Sequence, residues 1–366
     1  MGVRSPIVRD LTPNFSKGLS MIRRALMVVS GALAVSIVGI VPTVGAAPLP
    51  VLPLPAFPFL ATPAPPAPQT ATIDHVTMLT DRRAAMFVFS PAMQRVIQVQ
   101  VMLPADQSAA RPTLYMLDGV SAGSESGYTE STWTQKTDAV AFFADKNTNV
   151  VMPIGGTGSY YADWQKPDPV LGLNKWDTFL SKELPPLVDS QFKGNGTNAI
   201  LGLSMGAQAA MNLITKYPSL YTGVAGFSGC YDNSAIANKN AVRATVGSVS
   251  GNATNMWGEN SDPDWEINDP AAHVEALRGK EVFIATGNGL PGPHEFEPGA
   301  NPVVQFFAGA PLEAGANVCT RSFEQTLGAA GIPATFAYRP YGTHSWGYWE
   351  DDMHDSWPTM KRALGL

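Results

Sequence analysis

Cysteine is scarce in this chain of 366 residues: Cys230 and Cys319 are the whole complement. Two thiols exclude a Cys-based zinc cage and a disulfide-rich scaffold, although in an oxidising compartment they permit one bridge. Charge is sparse as well, at 15% of residues, with 24 Lys+Arg against 30 Asp+Glu and a net charge of −6. Outside the N-terminus no segment concentrates basic residues, which argues against a nucleic-acid partner. What is abundant is apolar, 45% of the chain. A sizeable core can be buried, and global disorder is excluded.

Arg23 and Arg24 precede an uncharged apolar run from Ala25 to Val41, and Val44-Gly45-Ala46-Ala47 follows. Basic, apolar and small-residue regions in that order define a cleavable export signal over residues 1–46. The run is short for a membrane span and is broken by Ser30, Gly31, Ser36 and Gly39. Met21 stands just before the basic pair and is an alternative start. Removing 1–46 leaves 19 basic against 29 acidic residues, an acidic exported protein. Residues 47–70 are rich in Pro and Ala and read as an extended tether. Residues 71–366 then form one catalytic domain, with no further break in composition and no internal repeat.

Within that domain short β-rich runs alternate with helical ones. Gln94–Met102 alternates polar and apolar residues as a half-buried strand does. Buried strands are expected at Thr113–Leu117, Thr148–Met152, Asn198–Leu203, Thr222–Phe227, Glu281–Thr286 and Ala334–Tyr338. Helices are expected at Trp176–Val188, Ala207–Lys216 and Arg321–Ala330. This alternation predicts an α/β fold, a mostly parallel central sheet with helices on both faces. Chemistry in such sheets sits beyond the carboxyl ends of the strands.

Gly202-Leu203-Ser204-Met205-Gly206 lies between one of those strands and a helix. G-x-S-x-G in that setting is the nucleophile elbow of an α/β-hydrolase, with Ser204 as nucleophile. The base follows the last strand in this fold, and of the five histidines His344 is the one so placed. His75 precedes the expected sheet, His273 lies in a helical stretch beside Glu275, and His354 lies in the final helix. The orienting acid is expected on a loop after a late strand. Glu295 is favoured there, with Glu297 and Asp232 as alternatives. The oxyanion hole needs two backbone N–H groups. Met205 supplies one, and Val120, in the turn after Leu117-Asp118-Gly119, supplies the other. No metal or cofactor is expected.

Several further segments resemble the secreted mycolyltransferases of the antigen 85 type. They are Leu117-Asp118-Gly119, Val151–Gly156, Tyr161–Trp164, Met256-Trp257-Gly258, Ser261–Trp265, Asn268-Asp269-Pro270, Gly287-Asn288-Gly289 and Gly342-Thr343-His344-Ser345-Trp346. The resemblance runs from about residue 75 to the C-terminus. It implies an α/β-hydrolase that moves mycolyl groups from trehalose monomycolate to trehalose, envelope glycolipid or arabinogalactan acceptors. It also implies Ser204 as nucleophile, His344 as base, Val120 and Met205 as oxyanion donors, Asp118 in contact with the sugar and Trp346 beside the site. Ser121 departs from the family's usual Arg, and Glu295 requires a short insertion. A secreted carboxylesterase using the same residues is the alternative, and an inactive envelope adhesin on the same fold a third reading. Cys230 and Cys319, both expected near the carboxyl edge of the sheet, are candidates for a disulfide.

Overall fold

The computed structural model describes residues 70–366. The expected signal over 1–46, and all of the tether but Thr70, lie outside the described residues. Nine strands form one sheet: β1 (Thr72–Thr80), β2 (Arg83–Ser90), β3 (Arg95–Met102), β4 (Arg111–Leu117), β5 (Asn149–Pro153), β6 (Gly194–Leu203), β7 (Tyr221–Phe227), β8 (Glu281–Thr286) and β9 (Thr335–Tyr338). Their order is β1-β2-β3-β5-β4-β6-β7-β8-β9. From β5 to β9 every neighbouring pair is parallel, while β1, β2 and β3 add an antiparallel meander at one edge.

The expected strands are present with small shifts at their ends, and β1 and β2 are additional. His75 therefore lies within the sheet, on β1, rather than before it. The inner parallel strands are buried on both faces, as βαβ crossovers require, while β9 at the edge is only partly covered. On β4, Tyr115 and Leu117 join one apolar cluster while Leu114 and Met116 join the other. That alternation is the two-residue period of a strand.

The longer helices are α1 (Leu184–Phe192), α2 (Met205–Lys216), α3 (Ile236–Ser248), α4 (Ala310–Ala330) and α5 (Trp346–Ala363), of which α1, α2, α4 and α5 pack against the strands. Helices α1, α2 and α4 contribute Leu184, Met211 and Phe323 to the first cluster, and α5 contributes Trp349, Met353 and Met360 to the second. Helix α4 begins eleven residues earlier than the sequence pattern suggested, at Ala310 rather than Arg321. A short helical turn and a π-helical turn, Pro302–Val304 and Gln305–Gly309, lead directly into it. Its buried positions are Glu313, Ala316, Thr320, Phe323 and Leu327, one stripe at three- and four-residue spacing. Cys319 thus lies within the helix instead of before it. Among the described residues no helix is long and apolar enough to cross a membrane.

Candidate active site

Ser204 stands between the end of β6 and the first residue of α2, with φ 52° and ψ −121°. This conformation is sparsely populated for an L-residue and is held by its surroundings. Its N–H donates to the Phe227 carbonyl at 2.7 Å, which fastens the turn to β7. The flanking glycines are required by close approach. A Cβ on Gly202 would lie 2.2 Å from the Gly206 carbonyl oxygen, and one on Gly206 would lie 2.3 Å from that of Asp118. The second approach also brings the turn after β4 against the start of α2.

The Ser204 hydroxyl and His344 Nε2 are 2.8 Å apart. His344 Nδ1 and Glu313 Oε2 are also 2.8 Å apart. Glu313, in the first turn of α4, is fully buried. Its other oxygen accepts from the Gly287 N–H at 2.6 Å, the Ser228 hydroxyl at 2.8 Å and the Thr286 hydroxyl at 3.0 Å. Burial alone would raise its pKa, but the hydrogen bond and charge of His344, with Gly287 and Ser228, outweigh burial and hold the carboxyl below its ordinary value.

Glu295 does not reach His344. The loop after β8 does run beside the histidine loop, where the Gly289 N–H donates to Gly342 and the Gly342 N–H to Leu290. Glu295 is buried there, but its carboxylate accepts from the Thr343 hydroxyl at 2.5 Å, the Tyr348 hydroxyl at 2.6 Å and the Gly292 N–H at 2.6 Å. These donors fill it, and Glu313 occupies the Nδ1 side of the imidazole. Of the alternatives, Glu297 pairs with His294 and Asp232 with Ser234. Sequence reasoning missed Glu313 because it looked for an acid on a loop. The available signal was a glutamate on the apolar stripe of a helix, where a charge without a partner would be costly.

Met205 opens α2, so its N–H is one of those a helix leaves without an internal partner. Val120 lies in the turn after β4, where its carbonyl accepts from the Gly158 N–H at 3.0 Å. Asp118, expected to face a sugar, is instead almost fully buried. One of its oxygens accepts from the Thr132 N–H and hydroxyl, both at 3.2 Å, and the other has no partner among the described residues. Burial raises its pKa to about 7. Trp346 is half-buried and packs edge-on against Trp133 and Trp349, and Trp349 packs edge-on against His344. Cys230 and Cys319 form a disulfide, with Cα atoms 5.0 Å apart.

Ser204 and His344 open onto a cleft of about 490 Å³ between α3 and α4. Its walls include Ala241, Val242, Pro311, Leu312 and Val318, and the disulfide lies along it. A second cleft of about 500 Å³, lined by Arg95, Gln98 and Trp176 among others, contains none of these reactive groups.

The sheet, the elbow and an imidazole paired with a buried carboxylate define an α/β-hydrolase with a serine-centred site. The sequence matches the putative esterase family over residues 90–360. It is 33% identical over 285 residues to the diacylglycerol acyltransferase/mycolyltransferase Ag85A of Mycobacterium leprae, covering 75% of this chain and 82% of that one. The Ag85A of Mycobacterium tuberculosis strain H37Rv is 32% identical over 284 residues, with 75% and 80% covered. Among solved structures, Mycobacterium tuberculosis MPT51 superposes with a TM-score of 0.63 at 25% identity, covering 75% of this chain and 96% of that one. An S-formylglutathione hydrolase from Agrobacterium tumefaciens shares the fold at TM-score 0.52 and 17% identity, with 79% and 98% covered. The chain belongs to the putative esterase family and to the antigen 85 family.

Proposed function

We propose that this protein transfers mycolyl or similar long acyl groups from trehalose monomycolate to trehalose or to carbohydrate acceptors of the cell envelope, outside the cytoplasm. The observation that carries the chemistry is the hydrogen-bonded series Ser204–His344–Glu313 at a nucleophile elbow. His344 takes the Ser204 proton as the hydroxyl oxygen attacks the ester carbonyl. The carbonyl becomes an oxyanion, stabilised by the N–H groups of Met205 and Val120. Collapse expels the sugar alkoxide, which takes the proton from His344, and leaves an acyl-Ser204. A carbohydrate hydroxyl, deprotonated by His344, then attacks the acyl carbonyl; the second oxyanion collapses, the bond to Ser204 Oγ breaks, and Oγ takes the proton back from His344.

Glu313 holds the imidazole in the tautomer that leaves Nε2 free to accept, and offsets the charge His344 gains. The apolar wall of the adjoining cleft suits an acyl chain better than a second sugar. Transfer in preference to hydrolysis is supported by the family relationship.

Incubation with trehalose monomycolate and labelled trehalose tests the reading. Labelled diester should form, and Ser204→Ala should abolish both its formation and labelling by a fluorophosphonate. Catalysis by the remaining groups could still exceed the uncatalysed rate by about 10³-fold. Release of free acid with no diester would instead favour the carboxylesterase reading. Stoichiometric labelling of the Ser204→Ala protein would place the nucleophile elsewhere.

A further inference from the structure

From Pro298 to Thr320 only one residue is charged, and it is the buried Glu313. Apolar side chains in this stretch are nevertheless turned to solvent: Phe307 is 75% exposed, Val303 52%, Leu312 58% and Val318 69%. Phe306 is exposed beside them. Single exposed apolar residues are ordinary, but several on one stretch with no exposed charge are not.

Their order along the chain is informative. Leu312, Gly315 and Val318 recur one turn apart on the face of α4 that walls the Ser204 cleft. Val303, Phe306 and Phe307 lie on the helical turns that feed into α4. The apolar wall of the cleft is therefore continuous in sequence and secondary structure with an exposed aromatic pair outside it. An acyl chain leaving a lipid assembly for Ser204 would need such a path to avoid water.

We propose that the segment 298–312 docks on the surface of a lipid assembly, with Phe306 and Phe307 entering its apolar layer and the cleft mouth facing the donor. The absence of exposed charge fits an uncharged or zwitterionic surface, since anionic lipids would be met by Lys and Arg. The proposal rests on the acyl-transfer reading above.

Hydrogen–deuterium exchange of the full chain, with and without phosphatidylcholine vesicles, tests it. The local readout separates this segment from any other part that meets the vesicle. Amides of 298–312 should become protected when vesicles are added, and Phe306→Ser with Phe307→Ser should remove that protection. Transfer of two phenyl rings from water predicts a fall of about 100-fold in turnover of a vesicle-borne long-chain ester. Turnover of a soluble short-chain ester should be unchanged, which also shows that the variant folds, and Phe307→Trp should still dock. Unaltered exchange over 298–312 would overturn the proposal. So would protection that grows with protein concentration without vesicles, because the occupant would then be a second copy of the chain. Ser204→Ala should dock like the parent. If that variant turns over ester as fast as the parent, the acyl-transfer reading fails on a measurement separate from docking.

Discussion

At the residue scale the decisive feature is the division of labour between two buried glutamates. Both are held below the ordinary carboxyl pKa, but by different donors. Burial opposes the shift in each; at Glu313 His344 leads the compensation, and at Glu295 Thr343 and Tyr348 do. Glu313→Gln keeps the shape but loses the charge that fixes the imidazole. We expect kcat to fall by a factor on the order of 10⁴, as in the serine-protease case where the orienting aspartate becomes an amide. Glu295→Gln removes a carboxylate that anchors Thr343, the neighbour of His344. Its expected effect is mainly on stability, about 1–3 kcal/mol, from weakened charged hydrogen bonds in a buried network. Steady-state kinetics and thermal melts on the two variants check this, and equal kcat losses would refute the division.

At the scale of elements, the helix α4 does two things at once. Its first turn carries Glu313, and six residues later Cys319 fastens it to Cys230, just beyond β7. Ser228, between β7 and Cys230, donates to Glu313 at 2.8 Å, so hydrogen bond and disulfide join the same two elements. The disulfide closes a sequence separation of 89 residues, for which the chain-entropy account gives at most about 4–5 kcal/mol. Cys230→Ser with Cys319→Ser should lower the melting temperature, and added dithiothreitol should have the same effect on the parent but none on the variant. Equal melting curves for parent and variant under oxidising conditions would show that the bridge contributes nothing.

For the whole molecule, buried carboxyls with opposite shifts predict an unusual dependence of stability on pH. Glu313 and Glu295 have folded pKa values below the unfolded ones. Their stabilisation is present above the unfolded pKa and is lost as pH falls through the folded values. Asp118 and Asp269 are raised, to about 7 and about 6, chiefly by burial. Between about pH 4 and 7 the folded state holds protons that the unfolded state has released, so these two groups lower stability as pH rises. Thermal melts should therefore peak on the acid side of neutrality, near about pH 5. Asp118→Asn should flatten the decline from there to pH 8, raising the melting temperature at pH 8 more than at pH 5. A parallel offset at both pH values would remove Asp118 as the cause.

Much of this molecule was written in local pattern. The parallel strands were legible because each is a short apolar run between turn signals, and Ser204 because an elbow demands glycines at fixed spacing around it. His344 was legible as the partner of Ser204 because, of the histidines, it is the one on the loop after the last strand. Strands β1 and β2 escaped, the first because it lies at a sheet edge with little buried apolar surface to betray it. The acid could not be read from position along the chain. The loop after β8 offered Glu295 at a plausible place, and only the packed structure shows that this side chain is filled by Thr343, Tyr348 and Gly292. A hydrogen bond of 2.8 Å between residues 31 apart depends on how α4 lies against β7 and β8, which is a matter of side-chain packing over the whole sheet. Sequence thus determined the fold class and the places of Ser204 at the strand–helix turn and His344 after the last strand, through local geometry and chain order. Tertiary structure alone decided which carboxylate meets the imidazole, because burial and competing donors are properties of the assembled core.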